Sequence, residues 1–505
     1  MAQRKRCFVK NNGALIDTTM HSRLAVSCAA LTGETFDIDN GGRLSRRARS
    51  LAAVAGIALS LIFSLPLQAQ TIDANKTATY VTAAGDTLYE VAQRYLSDVR
   101  GWRELAGLNH VSAPRRLPAG VALRLPLALL RRDAMPVSVI ATSGPVTIRS
   151  RGTGLRVALA PAVPLLVGRV LGENDAVSTG PNGFATLELA DGSYVSLTPN
   201  TSIVLSILRK MALTDINDRV IELEQGEVST EVTHAKQSAD RFEIRTPSIV
   251  AGVRGTHFRV QMSPSMTAIE VLDGKVALGA AKDAARPEVN RPASAAQLIA
   301  AGEGSATPLG GDIGAPLPLL PAPALVDPAK VQDAKAVSFD LEPQAGAQAY
   351  RVQIARDADL LDVIRETRVQ APTAAFTDVP DGTYFVRVSA IDRHGLEGLP
   401  RIYAFERRAN EVHATAAPTN GLHEYRFLWR ASRAETGAGT RFRLVLSHYR
   451  DLRDPVVDAV DLTTTSLVVS RLPPGDYYWC VTAEQYEHGR FYQTIGPVRE
   501  FTLAH

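Results

Sequence analysis

The sequence predicts a multidomain, mainly β protein: a small β-α-α-β module, an all-β roll or sandwich, and two further β-sandwiches at the C-terminal end. Three observations predict it. Apolar residues, 45% of the 505, alternate with polar ones over short runs, as half-buried strands require. Gly (37) and Pro (29) punctuate those runs while Met (6) and Cys (3) are scarce, which suits strands and turns better than long helices. Ala349–Ile354 and Arg441–Leu446 begin two similar stretches about 92 residues apart. The length allows roughly three or four domains.

Composition excludes several classes. Only one apolar segment approaches bilayer length, so a polytopic membrane protein is excluded. Three cysteines do not make a disulfide scaffold. The formal charge of +3 is uneven: residues 1–69 carry nine Lys/Arg and four acids, a net of +5, leaving −2 for the rest. Such a body has no basic footprint for phosphate backbones, so no nucleic-acid partner is expected.

Residues 1–69 read as an N-terminal extension and signal peptide. A basic cluster, Arg43 to Arg49, precedes the apolar run Leu51 to Leu67, and Ala69 is a small residue at the cut. About 17 apolar residues also reach the lower limit for a span, so an uncleaved anchor over residues 51–69 stays open. Cleavage would remove Cys7 and Cys28 and leave Cys480, which reads as a buried small hydrophobe. The expected destination is the periplasm or cell envelope.

Residues 77–127 begin with the β-prone Tyr80–Val81–Thr82. Asp86 or Thr87 is placed to cap a helix whose apolar face is Leu88, Val91, Ala92 and Tyr95. A second helix fits Gly101 to Leu108, and Val121 to Leu125 reads as a closing strand. The segment YVTAAGDTLYEVAQRYL, then WRELAGLNHV, then PRRLPAGVALRLP resembles LysM domains. That resemblance implies binding of N-acetylglucosamine-containing glycan, chiefly peptidoglycan, in a shallow groove. By position the groove would use Gly85, Asp86, Thr87, Leu88, Asn109, His110 and Val111. Neutral sugars suit such a site, read by backbone amides and small polar groups rather than by charge.

Residues 134–280 hold short strand candidates at Val137–Ile140, Val146–Ile148, Ala185–Leu189, Tyr194–Leu197, Val220–Leu223 and Phe242–Ile244. Turn signals fall at Pro181–Asn182–Gly183, Asp191–Gly192, Gln225–Gly226 and Asp273–Gly274, which predict hairpins. A helical interruption is expected near Ile207–Met211. Arg254–Gly255–Thr256–His257–Phe258 groups reactive side chains, but it reads as a tight strand entry with Phe258 in the core. The segments GFATLELADGSYVSLTPNTSI, IELEQGEV, FEIRTPSIVAGVRGTHFRV and IEVLDGKVAL resemble the FecR domain. In that family's founding members the domain is the periplasmic part of a sensor that signals to a sigma factor. This chain departs from them, since residues 1–42 contain no Trp where the family carries a paired-tryptophan anti-sigma region.

Residues 281–328, rich in Ala and Pro, read as a semi-rigid spacer with a short helix from Ala295 to Ala300. Residues 329–408 and 409–505 then repeat one pattern: Pro380–Asp381–Gly382–Thr383–Tyr384 corresponds to Pro474–Gly475–Asp476–Tyr477. Alternating strands of this spacing resemble fibronectin type III sandwiches, which implies spacers or protein-binding surfaces.

No nucleophile-elbow, zinc or phosphate-loop pattern occurs, and the ten histidines show no ligand-spaced pair. No enzyme activity, cofactor or metal is expected. The sequence therefore points to an exported, non-catalytic scaffold that holds wall glycan through residues 77–127 and envelope proteins through its β modules. The alternative is a FecR-type sensor anchored by residues 51–69.

Overall fold

The computed structural model describes residues 76–150, 161–235, 237, 239–281, 297–433, 439–487 and 489–504. The readings of residues 1–69, Cys7 and Cys28 included, lie outside the described residues. Gln70–His505 forms one compact unit. It is mainly β and built of several sheets, as the residue patterns predict. Among the described residues no helix is long and apolar enough to cross a membrane.

The first module runs β1 (Thr77–Val81), α1 (Leu88–Tyr95), α2 (Trp102–Leu108) and β2 (Ala122–Pro126), with β1 and β2 antiparallel. Thr87 caps α1. Its hydroxyl accepts the Glu90 N–H at 3.1 Å, and the Glu90 carboxylate accepts the Thr87 N–H at 3.0 Å. Leu88, Val91 and Ala92 face Leu105, Leu123 and Leu125 in a closed core. So small a core gains from a neighbour, and Met211 and Leu213 of the next module pack against it.

Strands from Arg132 to Pro318 close into a barrel. Its spine is the strand Asn217–Val232, which pairs antiparallel with Ser202–Met211, parallel with Arg241–Arg245 and antiparallel with Thr256–Met262. Alternating Val and Ile from all of these fill one interior.

Three expectations fail here. Gln225–Gly226 is not a hairpin turn but lies within the spine. Gly226 has φ +85°, and a Cβ there would meet the Thr201 Cα at 2.6 Å, so glycine lets the spine cross between sheets without ending. Asp191–Gly192 does close a hairpin, between Phe184–Leu189 and Tyr194–Leu197. Asp273–Gly274 instead marks a corner, because the strands it joins pair with different partners. The helix expected near Ile207–Met211 is strand, since Ile207 to Lys210 pair with Asn217 to Val220.

The helix expected at Ala295–Ala300 is also strand over its described part. Gln297–Ala300 completes the sheet along Lys275–Leu278, because a single helical turn is marginal while an open strand edge offers a full ladder. With Glu303–Pro308 paired to Met266–Glu270, much of the expected spacer is barrel wall.

Two sandwiches follow. In the first, Val337–Asp340 pairs Thr373–Phe376 beneath a sheet of Val363–Val369, Ala349–Ala355, Gly382–Ile391 and Arg401–Arg407. In the second, Val412–Pro418, Tyr425–Ala431 and Ser466–Val469 face a sheet built on Arg441–Ser447 and Gly475–Glu487. Gly382 and Gly475, both at large positive φ, open equivalent strands, and the buried Tyr384 and Tyr477 follow two residues later in each. Cys480 is buried, and its thiol faces the Gly496 carbonyl at 3.2 Å.

A candidate glycan trough and a buried charge cluster

The loop before α1 and the loop after α2 lie side by side. The Leu88 N–H donates to the Pro114 carbonyl at 2.9 Å and the Leu117 N–H to the Asp86 carbonyl at 3.0 Å. Thr82 staples the opposite end, its hydroxyl donating to Pro118 O at 2.6 Å and accepting the Val121 N–H at 2.9 Å.

The seven expected trough residues divide into two groups. Asp86 is buried and accepts from the Tyr80 hydroxyl and the Ala83 N–H, both at 2.7 Å, with the Arg94 guanidinium 3.9 Å away. The Tyr80 bond, then the Ala83 bond, hold its carboxyl below the usual range. Leu88 is 0% exposed. The Asn109 amide donates to Leu105 O and Arg124 O and accepts the Arg124 N–H, tying the end of α2 to β2. These three hold the module together, with the polar atoms of Asp86 and Asn109 bonded within it and the Leu88 side chain enclosed. Gly85 and His110 are exposed with positive φ, and Thr87 and Val111 are half-buried; these four present atoms to solvent. Strand and helix signals locate all seven residues; only the fold shows which of them are bonded or enclosed within the module.

None of the seven borders a cleft of about 1660 Å³ that lies between the base of this module and the barrel. Its walls are ion-paired. Arg241 meets Asp218 at 2.6 Å, and Arg132 lies 3.8 Å from the same carboxylate. In the Arg254–Phe258 segment Phe258 is fully buried, and a Cβ on Gly255 would meet His234 Cα at 2.8 Å, as a tight strand entry requires.

A second cluster, not anticipated from sequence, sits where the barrel meets the first sandwich. The barrel contributes Glu227, Arg259 and Glu270; the sandwich contributes Arg351, Glu366, Arg368, Arg387 and Glu397. Arg259, 0% exposed, donates to the Glu397 carboxylate at 2.6 Å and to the carbonyls of Glu397 and Gly398 at 2.6 and 2.8 Å. Arg351 bridges Glu227 at 2.5 Å and Glu397 at 2.6 Å, and reaches Glu366 at 2.8 Å. Arg368 meets Glu227 at 2.5 Å.

Burial opposes ionisation of Glu227 and Glu397, yet the surrounding guanidinium groups win and hold both carboxyls below the usual range. Glu270 goes the other way. Burial, reinforced by Glu397 and Glu227, outweighs Arg259 and pushes it up to about 8. His257 is lowered to about 4, by burial first and then by Arg387 and Arg259. The cluster is a joint at which arginines and carboxyls from two modules interlock. Its sequence signal was a charged residue inside an apolar run, as in Phe258–Arg259–Val260 and Ile269–Glu270–Val271. Among the described residues no group of His, Cys, Asp or Glu is placed to hold a metal.

Residues 175–277 match the family model described as FecR protein. No curated protein matches the chain. Among solved structures, a candidate anti-sigma factor from Parabacteroides distasonis aligns at 22% identity over 28% of this chain and 59% of that one, with a TM-score of 0.22. This chain thus covers less than two thirds of that structure's length. The fibronectin(III)-like modules of Clostridium thermocellum CbhA align at 11% identity over 36% of this chain and 94% of theirs, TM-score 0.19. The FN1–FN3 domains of chicken CNTN1 align at 13% identity over 56% of this chain and 99% of theirs, TM-score 0.21. Scores of this size describe local likeness. The chain thus carries a FecR domain and has fibronectin type III-like neighbours among solved structures.

Proposed function

We propose that the protein is an exported, non-catalytic scaffold of the bacterial cell envelope that holds peptidoglycan through residues 77–127, while its FecR-like barrel and two sandwiches offer β surfaces to envelope proteins. One observation carries the reading. In a β-α-α-β module, two loops lie bonded together, with Gly85 and His110 exposed and Thr87 and Val111 half-buried along them. That surface suits a neutral amino-sugar chain, which is read by backbone amides and small polar groups. A single shallow trough binds weakly, so presentation of many copies on one wall would supply avidity.

Sedimentation with purified sacculi tests the reading. The protein is expected in the pellet, and a Gly85→Trp, His110→Ala double substitution is expected to release it. Recovery of the unsubstituted chain in the supernatant overturns the proposal.

The FecR match over residues 175–277 favours a second reading, an envelope sensor anchored by residues 51–69. Its test is the N-terminal residue of the protein isolated from cells. Gln70 or Thr71 at that position eliminates a permanent anchor.

A further inference from the structure

Two arginines beside the candidate trough serve no contact within the fold. The segment from Pro114 to Leu117 is tied to the loop before α1 at both ends, by the Leu88 N–H donating to Pro114 O at 2.9 Å and the Leu117 N–H donating to Asp86 O at 3.0 Å. These bonds bracket Thr87 on one side of the seam and Arg115 and Arg116 on the other. The Arg116 N–H also donates to Ala113 O at 3.2 Å, which closes a turn. Leu88 and Leu117 are buried, whereas Arg115 and Arg116 are exposed. The backbone therefore fixes both arginines next to Thr87 at the solvent surface.

Their charge is not neutralised nearby. The loop from Asn109 to Val121 contains no Asp or Glu. The two acids beside Thr87 in sequence are engaged elsewhere. Asp86 is buried against the Tyr80 hydroxyl and the Ala83 N–H, and Glu90 caps α1 by accepting the Thr87 N–H and hydroxyl at 3.0 and 3.1 Å. Among the described residues neither Arg115 nor Arg116 has a carboxylate partner. Residues 76–127 carry seven Lys/Arg and four acids, a net of +3, in a chain whose residues from 70 onward sum to −2. The module is thus a basic unit on an acidic body, with two unpaired guanidinium groups at the edge of its open seam.

We infer that Arg115 and Arg116 bind the carboxylates of peptidoglycan's peptide stems, so that the module prefers stem-bearing glycan to a bare amino-sugar chain. The inference rests on the reading of this module as a wall-glycan binder and adds a charged contact to a seam that otherwise suits neutral sugar. Every second sugar of that polymer bears a stem ending in free carboxylates. A chain seated against Thr87 therefore presents a stem within one sugar of the two arginines. Guanidinium groups match carboxylates with paired N–H donors, and neither arginine must give up an existing partner to do so.

The test uses glycan strands released by endopeptidase from sacculi stripped of phosphate polymers, and the same strands after an amidase has removed the stems. Titration calorimetry is run with the chain from Gln70 onward, a compact unit by itself. Stem-bearing strands are expected to bind the more tightly and to lose that advantage as salt rises. Arg115→Gln with Arg116→Gln is expected to weaken their binding roughly tenfold, as the loss of two exposed ion pairs allows, and to leave bare-strand affinity unchanged. Thermal unfolding should not move, because both positions are exposed. Equal affinity for the two strands, or a double substitution that weakens both alike or neither, overturns the inference and leaves the glycan reading standing. Absence of binding to either strand overturns the glycan reading and this inference with it.

Discussion

Replacing Arg259 by Met tests whether the barrel and the first sandwich are locked by charge. The substitution keeps side-chain length and removes one cation from a site that is 0% exposed. It strips the Glu397 carboxylate of a 2.6 Å bond and leaves the Glu397 and Gly398 carbonyls without their donor. Glu397 retains Arg351 at 2.6 Å and the Ser389 hydroxyl at 2.7 Å, so the loss is partial. Breaking a buried pair by removing one partner costs about 3–5 kcal/mol. With the remaining partners we expect the lower end, about 3 kcal/mol, roughly a hundredfold in an opening equilibrium. Chains with several modules need not unfold in one step, so the assay is native-state hydrogen exchange at Thr256–Met262 and Gly382–Ile391. Exchange there should rise about a hundredfold while α1 is unaffected. A change smaller than about 1 kcal/mol would refute the lock, because ion pairs worth that little are the exposed kind.

Other expectations follow from the same geometry. Because Glu270 titrates near 8 in the fold and near 4.5 when unfolded, its contribution is fully present below pH 4.5 and is lost as pH rises towards 8. Glu270→Gln should therefore match the unsubstituted protein near pH 4 and be the more stable above pH 8 in urea titrations. His257, lowered to about 4, acts in the opposite sense: its contribution is lost as pH falls from 6.5 to 4, and His257→Gln should flatten that limb. Gly226→Ala, at φ +85° and against Thr201, should lower barrel stability by about 2 kcal/mol or more, read as the urea midpoint. Asn109→Ala removes two hydrogen bonds between the end of α2 and β2 and a third to Leu105 O within α2, and should destabilise the first module by roughly 2 kcal/mol, seen as faster exchange at Leu123 and Leu125.

The alternation of apolar residues located the strands at Tyr194–Leu197 and Phe242–Ile244 and both C-terminal repeats, since a two-residue period is a local property of the chain. The capping pair Thr87 and Glu90 was likewise local, so α1 was legible. Gln225–Gly226 misled for a physical reason: a positive-φ glycine serves a turn or a mid-strand bend equally well, and only the partner strands choose between them. The same competition turned Gln297–Ala300 from helix to strand, because an unfilled sheet edge outweighs weak local propensity. Arg259, Glu270 and Arg351 lie on strands and Glu397 in the loop before Arg401, and their burial has no local cause: it exists only because a second module covers those faces. Composition and periodicity determined the class of each module and which side of each strand is apolar. Which polar faces are buried, and which groups bond to Asp86 and Asn109 within their module, was decided by tertiary packing, because burial depends on what arrives from elsewhere in the chain.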